Sequence, residues 1–342
     1  MKDLLVKLEV AARWVLAGIL LCFSLLCFSC EESPNGSEEE SSWQAVNNGL
    51  ESKHLQILGI HPTNDNLIFA GTWDGLYRSS DEGENWTRVD SGWEYTHVTA
   101  IAFNPLDPQV IYVGTQGDGI FKSQDEGLSW TEKNTGLANR NIFGLAVNPD
   151  HPDTLYVGTD NGIYWSKNAA DTLSKVYWYN RAFVVIDPQD DSRIYAGGQY
   201  NNFHRSVDGG IAWDQSSSGL QLGGPSTRIV WVLIDPFTTT NLYACSNSSG
   251  IYKSTDAAQN WTGITSGLGG TTDVRVLQLN PANSNQLYAA TISGVYQSMD
   301  AGSSWQTMSE GLTNVDVKAL AYRSIDKFYA GTWGDGVFKW VP

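Results

Sequence analysis

Hydrophobic positions in this chain come in short runs separated by polar, glycine-rich turns, and the runs recur in a fixed order. One stretch, rich in Val, Ile, Leu and Ala, closes on a proline six times: Leu55 to Pro62, Val98 to Pro105, Ile142 to Pro149, Ala182 to Pro188, Ile229 to Pro236 and Val274 to Pro281. A seventh, Val317 to Tyr322, lacks the proline. Near-continuous apolar character predicts a strand buried on both faces. A second strand ends in Gly-Thr or a variant, as in Ile68 to Thr72, Ile111 to Thr115, Leu155 to Thr159 and Phe328 to Thr332. A third, aromatic strand such as Gly75 to Ser79 runs into a tight turn and a Trp. The unit repeats every 43 or so residues, the spacing of a propeller blade. The expected fold is all-β: a seven-bladed β-propeller.

The turn has the form Ser-x-Asp-x-Gly-x-x-Trp. It reads Ser79-Asp81-Gly83-Trp86, Ser123-Asp125-Gly127-Trp130, Ser206-Asp208-Gly210-Trp213 and Ser298-Asp300-Gly302-Trp305. Ser254-Asp256-Trp261 is a fifth copy with Ala258 for the Gly. In the third repeat Ser166 begins a box, but Asn168 and Ala170 replace its Asp and Gly, and the next Trp, Trp178, is five residues late. The outer strand there is expected at Ser174 to Tyr179. Asp accepts backbone N–H bonds inside a turn, Gly permits positive φ, and Trp supplies a large apolar plate. These residues are therefore read as structural, not catalytic.

The boxes resemble the Asp box, or BNR repeat, and the resemblance spans residues 43 to 342. The chain looks like the propellers of sortilin-type receptors, photosystem II assembly factors, and BNR glycosidases such as sialidases and xyloglucanases. The sialidase resemblance would imply an arginine triad, a Tyr–Glu pair and an early Arg-Ile-Pro motif. That motif is absent, and the few Arg residues stand in no such context. The xyloglucanase resemblance would imply two catalytic Asp residues in a cleft between two propellers, and only one propeller is legible here. The assembly factors are similar in size, blade count and lipoprotein start, but they carry a basic Arg patch, and no dense one is visible in this sequence.

The chain stops on a third strand, Val337 to Trp340, while Trp43 to Val46 reads as a fourth strand without partners. Trp43 precedes His54 by the same interval that separates Trp86 from His97. The early strand is therefore expected to complete the last blade and remove the open edges.

Ahead of the propeller, Lys2, Lys7 and Arg13 precede an apolar run from Trp14 to Phe28. A basic start and a short apolar core form the secretory pattern, and the run is shorter than the roughly 20 residues of a spanning helix. Leu26 to Cys30 resembles a bacterial lipoprotein cleavage site with Cys30 as the acylated residue, although Cys27 stands where Leu is usual. An uncleaved anchor helix is the alternative; both place the remainder outside the cytoplasm. Residues 1–29 are read as the signal peptide, 30–42 as an acidic tether and 43–342 as the propeller. The acidic run resembles the surface-export signal of Bacteroidetes lipoproteins. The expected setting is the cell envelope, at the outer membrane, with a membrane partner through the lipid. Cleavage would leave Cys30 and Cys245, with no disulfide framework.

The formal net charge of −16 argues against nucleic acid as a partner. No His-x-Glu-x-x-His, Gly-x-Ser-x-Gly or phosphate-loop motif occurs. The expected activity is non-catalytic binding of a protein or glycan by a monomer without cofactors, with a BNR-type glycoside hydrolase as the alternative. The expected face is the one where second-to-third-strand turns surround the channel. The residue eight before each inner-strand Pro gives His54, His97, Asn141, Asn180, Arg228 and Asp273, with Asp316 as the seventh equivalent. All are polar, as a recognition ring or simply a wet channel mouth would be. Asp273, Asp316, His54 and His97 are metal-ligating types on four consecutive blades, which leaves a metal as a minor alternative; separate blades are expected to hold them too far apart for bonds of about 2.0–2.2 Å, so no metal is expected. Above the ring, Trp73-Asp74 and Trp333-Gly334-Asp335 should bring two exposed Trp side by side, with Trp93 and Tyr95 close by, a surface for sugar rings or apolar side chains.

Overall fold

The computed structural model describes residues 41–94, 97–199, 203–221, 223–224 and 226–342. The signal, lipidation and tether expectations on residues 1–40, Cys30 included, lie outside them, as does Tyr95. The described residues form seven antiparallel sheets of four strands each and contain no helix, so none there could cross a membrane. Each innermost strand lies against the innermost strands of two other blades, and the last, Val317–Ser324, lies against the first, Leu55–His61. The sheets therefore close a ring, as the repeat predicts.

The closure is the expected one. Ser42–Ala45 pairs antiparallel with Val337–Val341, in the register Trp43↔Trp340 and Ala45↔Phe338. Trp43 is 2% exposed, donates its indole N–H to the Met308 carbonyl at 2.7 Å, and meets the rings of Phe328 and Trp340 at 4.8 and 5.4 Å.

The Asp boxes hold their hairpins as read. Asp81 Oδ1 accepts the Ser79 hydroxyl at 2.7 Å and the Asn85 N–H at 2.9 Å, while Ser79 Oγ accepts the Gly83 N–H at 2.8 Å. The turn needs positive φ at two successive residues, Glu82 and Gly83. Blade three keeps this geometry without Asp or Gly: Asn168 Oδ1 accepts from Ser166 Oγ and the Thr172 N–H, and Ala170 stands at φ 70°. Leu173, not Trp178, takes the place of the box Trp. Its N–H donates to Thr135 O at 2.8 Å, as that of Trp86 donates to Asn48 O. Trp178 is 79% exposed, and the outer strand ends at Tyr177, short of the expected Tyr179.

One expectation is corrected. The innermost strands are not buried on both faces. In Val98–Phe103 only Val98 and Ala100 are buried and the other residues are half-buried, whereas every residue of the second strand, Ile111–Thr115, is buried. An innermost strand turns alternate side chains toward the central channel; a second strand is covered on both sides by neighbouring blades. The Gly of the Gly-Thr ending serves that covering. A Cβ on Gly71 would come within 2.5 Å of Ile57 and 2.6 Å of Val98 in the next blade, and one on Gly114 within 2.5 Å of Ile142.

Candidate functional site

In five blades the second-to-third-strand turn is built by the Thr that ends the second strand; blade four has Gly197 there and blade five Ser246. In blade one, Thr72 Oγ1 donates to Gly75 O at 2.9 Å and accepts the Asp74 N–H at 3.1 Å. In blade seven, Thr332 does the same with Gly336 and Asp335. The residue after the Thr then donates its N–H to the ring position: Trp73 to His54 O at 3.0 Å and Trp333 to Asp316 O at 2.9 Å. The His97, Asn180, Arg228 and Asp273 carbonyls are used in the same way. Asn141 instead reaches its own blade's turn through its side chain, whose amide donates to Asp160 at 2.8 Å.

These bonds set Trp73 and Trp333 edge to face, 5.5 Å apart at 89°. Trp73 lies over His97 at 4.2 Å, and Trp333 meets His54 at 4.8 Å. Trp73 is 50% exposed; Trp333 is half-buried rather than exposed, because His54 and Trp73 cover it and Lys318 lies 5.3 Å over its ring. Burial pushes the His97 pKa down against the opposing pull of Asp74, so near neutral pH its imidazole is an uncharged plate under Trp73. Asp74 is held by Ser52 Oγ at 3.0 Å, and Asp335 by Thr313. Trp93 does not join this group. It stacks on Phe121 at 4.0 Å and 11°, which spends one face on packing within blade two.

The polar ring therefore divides: its aromatic contacts lie at blades seven, one and two, and its ion pairs at Asp273 and Asp316. Asp273 pairs with Arg275 at 2.7 Å, and Asp316 with Lys318 at 2.9 Å, so neither carboxylate is free for a metal. Among the described residues, no three His, Cys, Asp or Glu side chains gather to hold an ion. Burial pushes the Asp273 carboxyl up, opposed by Arg275 and Lys318.

The expectation of no dense basic patch is also corrected. Arg181, Arg228, Arg275 and Lys318, from four consecutive blades, line one channel cavity of about 180 Å³ together with Phe143, Phe183 and Trp231. They are scattered in sequence and converge only because the ring repeats one strand position. Arg275 and Lys318, with Gln56 and Thr99 of the same cavity, stand two residues after ring positions, and that spacing was the available signal.

Fold and boxes together define a seven-bladed β-propeller of the Asp-box type. The family described as Sortilin, neurotensin receptor 3 (Sortilin-Vps10) matches over residues 74–200. No curated protein matches the chain in sequence. Among solved structures, the GH74 xyloglucanase from Xanthomonas campestris is similar at TM-score 0.69 and 19% identity, covering 87% of this chain and 53% of its own. YCF48 bound to D1 peptide is similar at TM-score 0.66 and 15% identity, covering 88% and 97%. The extracellular domain of the BT4673 hybrid two component system from B. thetaiotaomicron is similar at TM-score 0.68 and 16% identity, covering 88% and 39%. The chain thus spans about half the length of the xyloglucanase and less of the BT4673 domain. At these identities the likeness is one of fold.

Proposed function

We propose that this propeller is a non-catalytic binding module that takes a glycan, or the apolar side chains of a protein, against Trp73 and Trp333. The carrying observation is the half-exposed Trp73 plate set edge-on to Trp333 at the blade closure, flanked by His54, His97 and the carboxylates of Asp74 and Asp335. Such a plate gains from covering apolar ring or side-chain surface, and the flanking polar groups would fix orientation. YCF48, similar in fold over nearly its whole length, has been seen bound to D1 peptide. The test is Trp73→Ala combined with Trp333→Ala, assayed by thermal melting and on a panel of glycans and cell-surface proteins. A folded double mutant that loses binding of the captured ligand supports the reading; one that keeps it removes this sector.

The glycoside-hydrolase alternative would need a carboxyl in the channel to act as general acid, and Asp273 is the candidate, although Arg275 pairs with it at 2.7 Å. Release of reducing sugar by the wild type, abolished in Asp273→Asn, would replace the binding reading. For location, the module is proposed to be lipid-anchored at Cys30 in the cell envelope. Cys30→Ser is expected to release it from the membrane fraction, and a processed mutant that stays membrane-bound would refute the anchor.

A further inference from the structure

We propose that the channel cavity beside Arg228 binds a small organic acid, a carboxylate carried on an apolar body of aromatic size. This goes beyond the Trp73–Trp333 reading and uses different residues.

The cavity holds four cations against three nearby carboxylates. Arg181 pairs with Asp160 at 3.2 Å, Arg275 with Asp273 at 2.7 Å and Lys318 with Asp316 at 2.9 Å. Arg228 is left over. Among the described residues its guanidinium has neither an ion pair nor a hydrogen bond; only its backbone N–H donates, to Asn247 Oδ1 at 2.8 Å. Burial, with repulsion from Arg181 and Arg275, pushes its pKa down against the weaker pull of Asp273. Arg228 is half-buried and lines the cavity, so an anion there would meet its guanidinium without displacing a protein partner.

One further feature belongs to the same space. Arg181 stands at φ 54° with its guanidinium 5.2 Å over Phe143. Every other non-Gly residue with positive φ among the described residues sits in an Asp-box turn. Strain held outside the repeated turns marks a position fixed for a purpose.

The unsatisfied group is thus a donor, the guanidinium fork of Arg228. The walls are apolar, from Ile57, Phe143, Phe183, Ile229 and Val276. A guanidinium matches a carboxylate through two parallel bonds. Apolar walls with a few polar groups suit a small molecule with an apolar body better than a bare inorganic anion.

The experiment is calorimetric titration of the full chain with benzoate, benzamide and inorganic phosphate, on wild type, Arg228→Met and Arg228→Lys. Benzoate is expected to bind one per chain, with benzamide and phosphate weaker by about tenfold or more, and Arg228→Met weakening benzoate by on the order of tenfold. Arg228→Lys should fall between, since it keeps the charge and loses the fork. Arg228→Met should melt no lower than wild type, because the guanidinium it removes holds no partner. Equal binding of benzamide, phosphate binding as tight as benzoate, benzoate binding unchanged in Arg228→Met, or no benzoate binding by the wild type would each overturn the proposal. A clear fall in melting temperature for Arg228→Met would show the cation to be structural and overturn it as well.

Discussion

The Asp box shows how much of this protein is decided by single side chains. In blade three an amide fills the carboxylate's place, with Asn168 Nδ2 donating to Thr172 Oγ1 at 3.0 Å. The substitution is tolerated there because a hydroxyl can turn to accept. Asp125 has the same opportunity, since its Oδ2 accepts from Ser129 Oγ. Asp81 does not, since its Oδ2 accepts from the amide of Asn85, whose own oxygen is bound by Asn48. Asp81→Asn would set two N–H donors against each other and should cost about 1–2 kcal/mol, whereas Asp125→Asn should stay within about 0.5 kcal/mol. Urea denaturation of the two mutants checks the order, and equal losses would refute it. The same bonds make the fold acid-labile. Asp81 is held below the carboxylate range by Asn85, and Asp300 is pushed down to about 2 by Ser304. A depressed folded pKa stabilises above the unfolded value of about 3.9 and loses that contribution as pH falls through the folded one. The urea midpoint should be flat above about pH 5 and drop steeply between about pH 4 and pH 2. A midpoint at about pH 2.5 equal to that at neutral pH would contradict this.

At the scale of the strand, periodicity carried most of the architecture and misjudged one face. The Gly-Thr strands were legible because Ile111–Thr115 and its counterparts are covered on both sides, and an apolar run states that directly. The innermost strands look similar in sequence, yet Val98–Phe103 faces a channel with every second residue. Phe143, Phe183 and Trp231 are apolar and still line that channel, so apolar character there does not mean burial in a core. The ring positions were found through a fixed offset from a proline, and the strand order set Trp73 beside Trp333 as that offset implied. The cation layer was missed because Arg181, Arg228, Arg275 and Lys318 are far apart in sequence and form a patch only when the blades are placed in a circle. Leu173 was not legible because the box pattern ends in Trp, and an aliphatic residue can make the same backbone bond.

For the molecule as a whole, one short strand decides whether there is an edge. Ser42–Ala45 is the outermost strand of blade seven, and its partner, Val337–Val341, lies at the other end of the propeller. Without it, the backbone of Val337–Val341 would lose its outer partner, and Trp340 and Phe328 would lose the indole that covers them. A bare edge backed by exposed aromatic rings is a template for aggregation. Asn47 follows the strand and accepts the Val337 N–H at 2.7 Å, so the two sides of the strand can be separated by choosing where the chain starts. A chain beginning at Ser41 keeps every bond of the closure and should melt with the full-length protein. A chain beginning at Asn47 keeps the Val337 bond but loses Trp43, whose large buried side chain alone is worth about 3–5 kcal/mol. It should melt well below the longer chain and associate as its concentration rises. Coincident melting curves for the two truncations would mean that blade seven closes without the early strand.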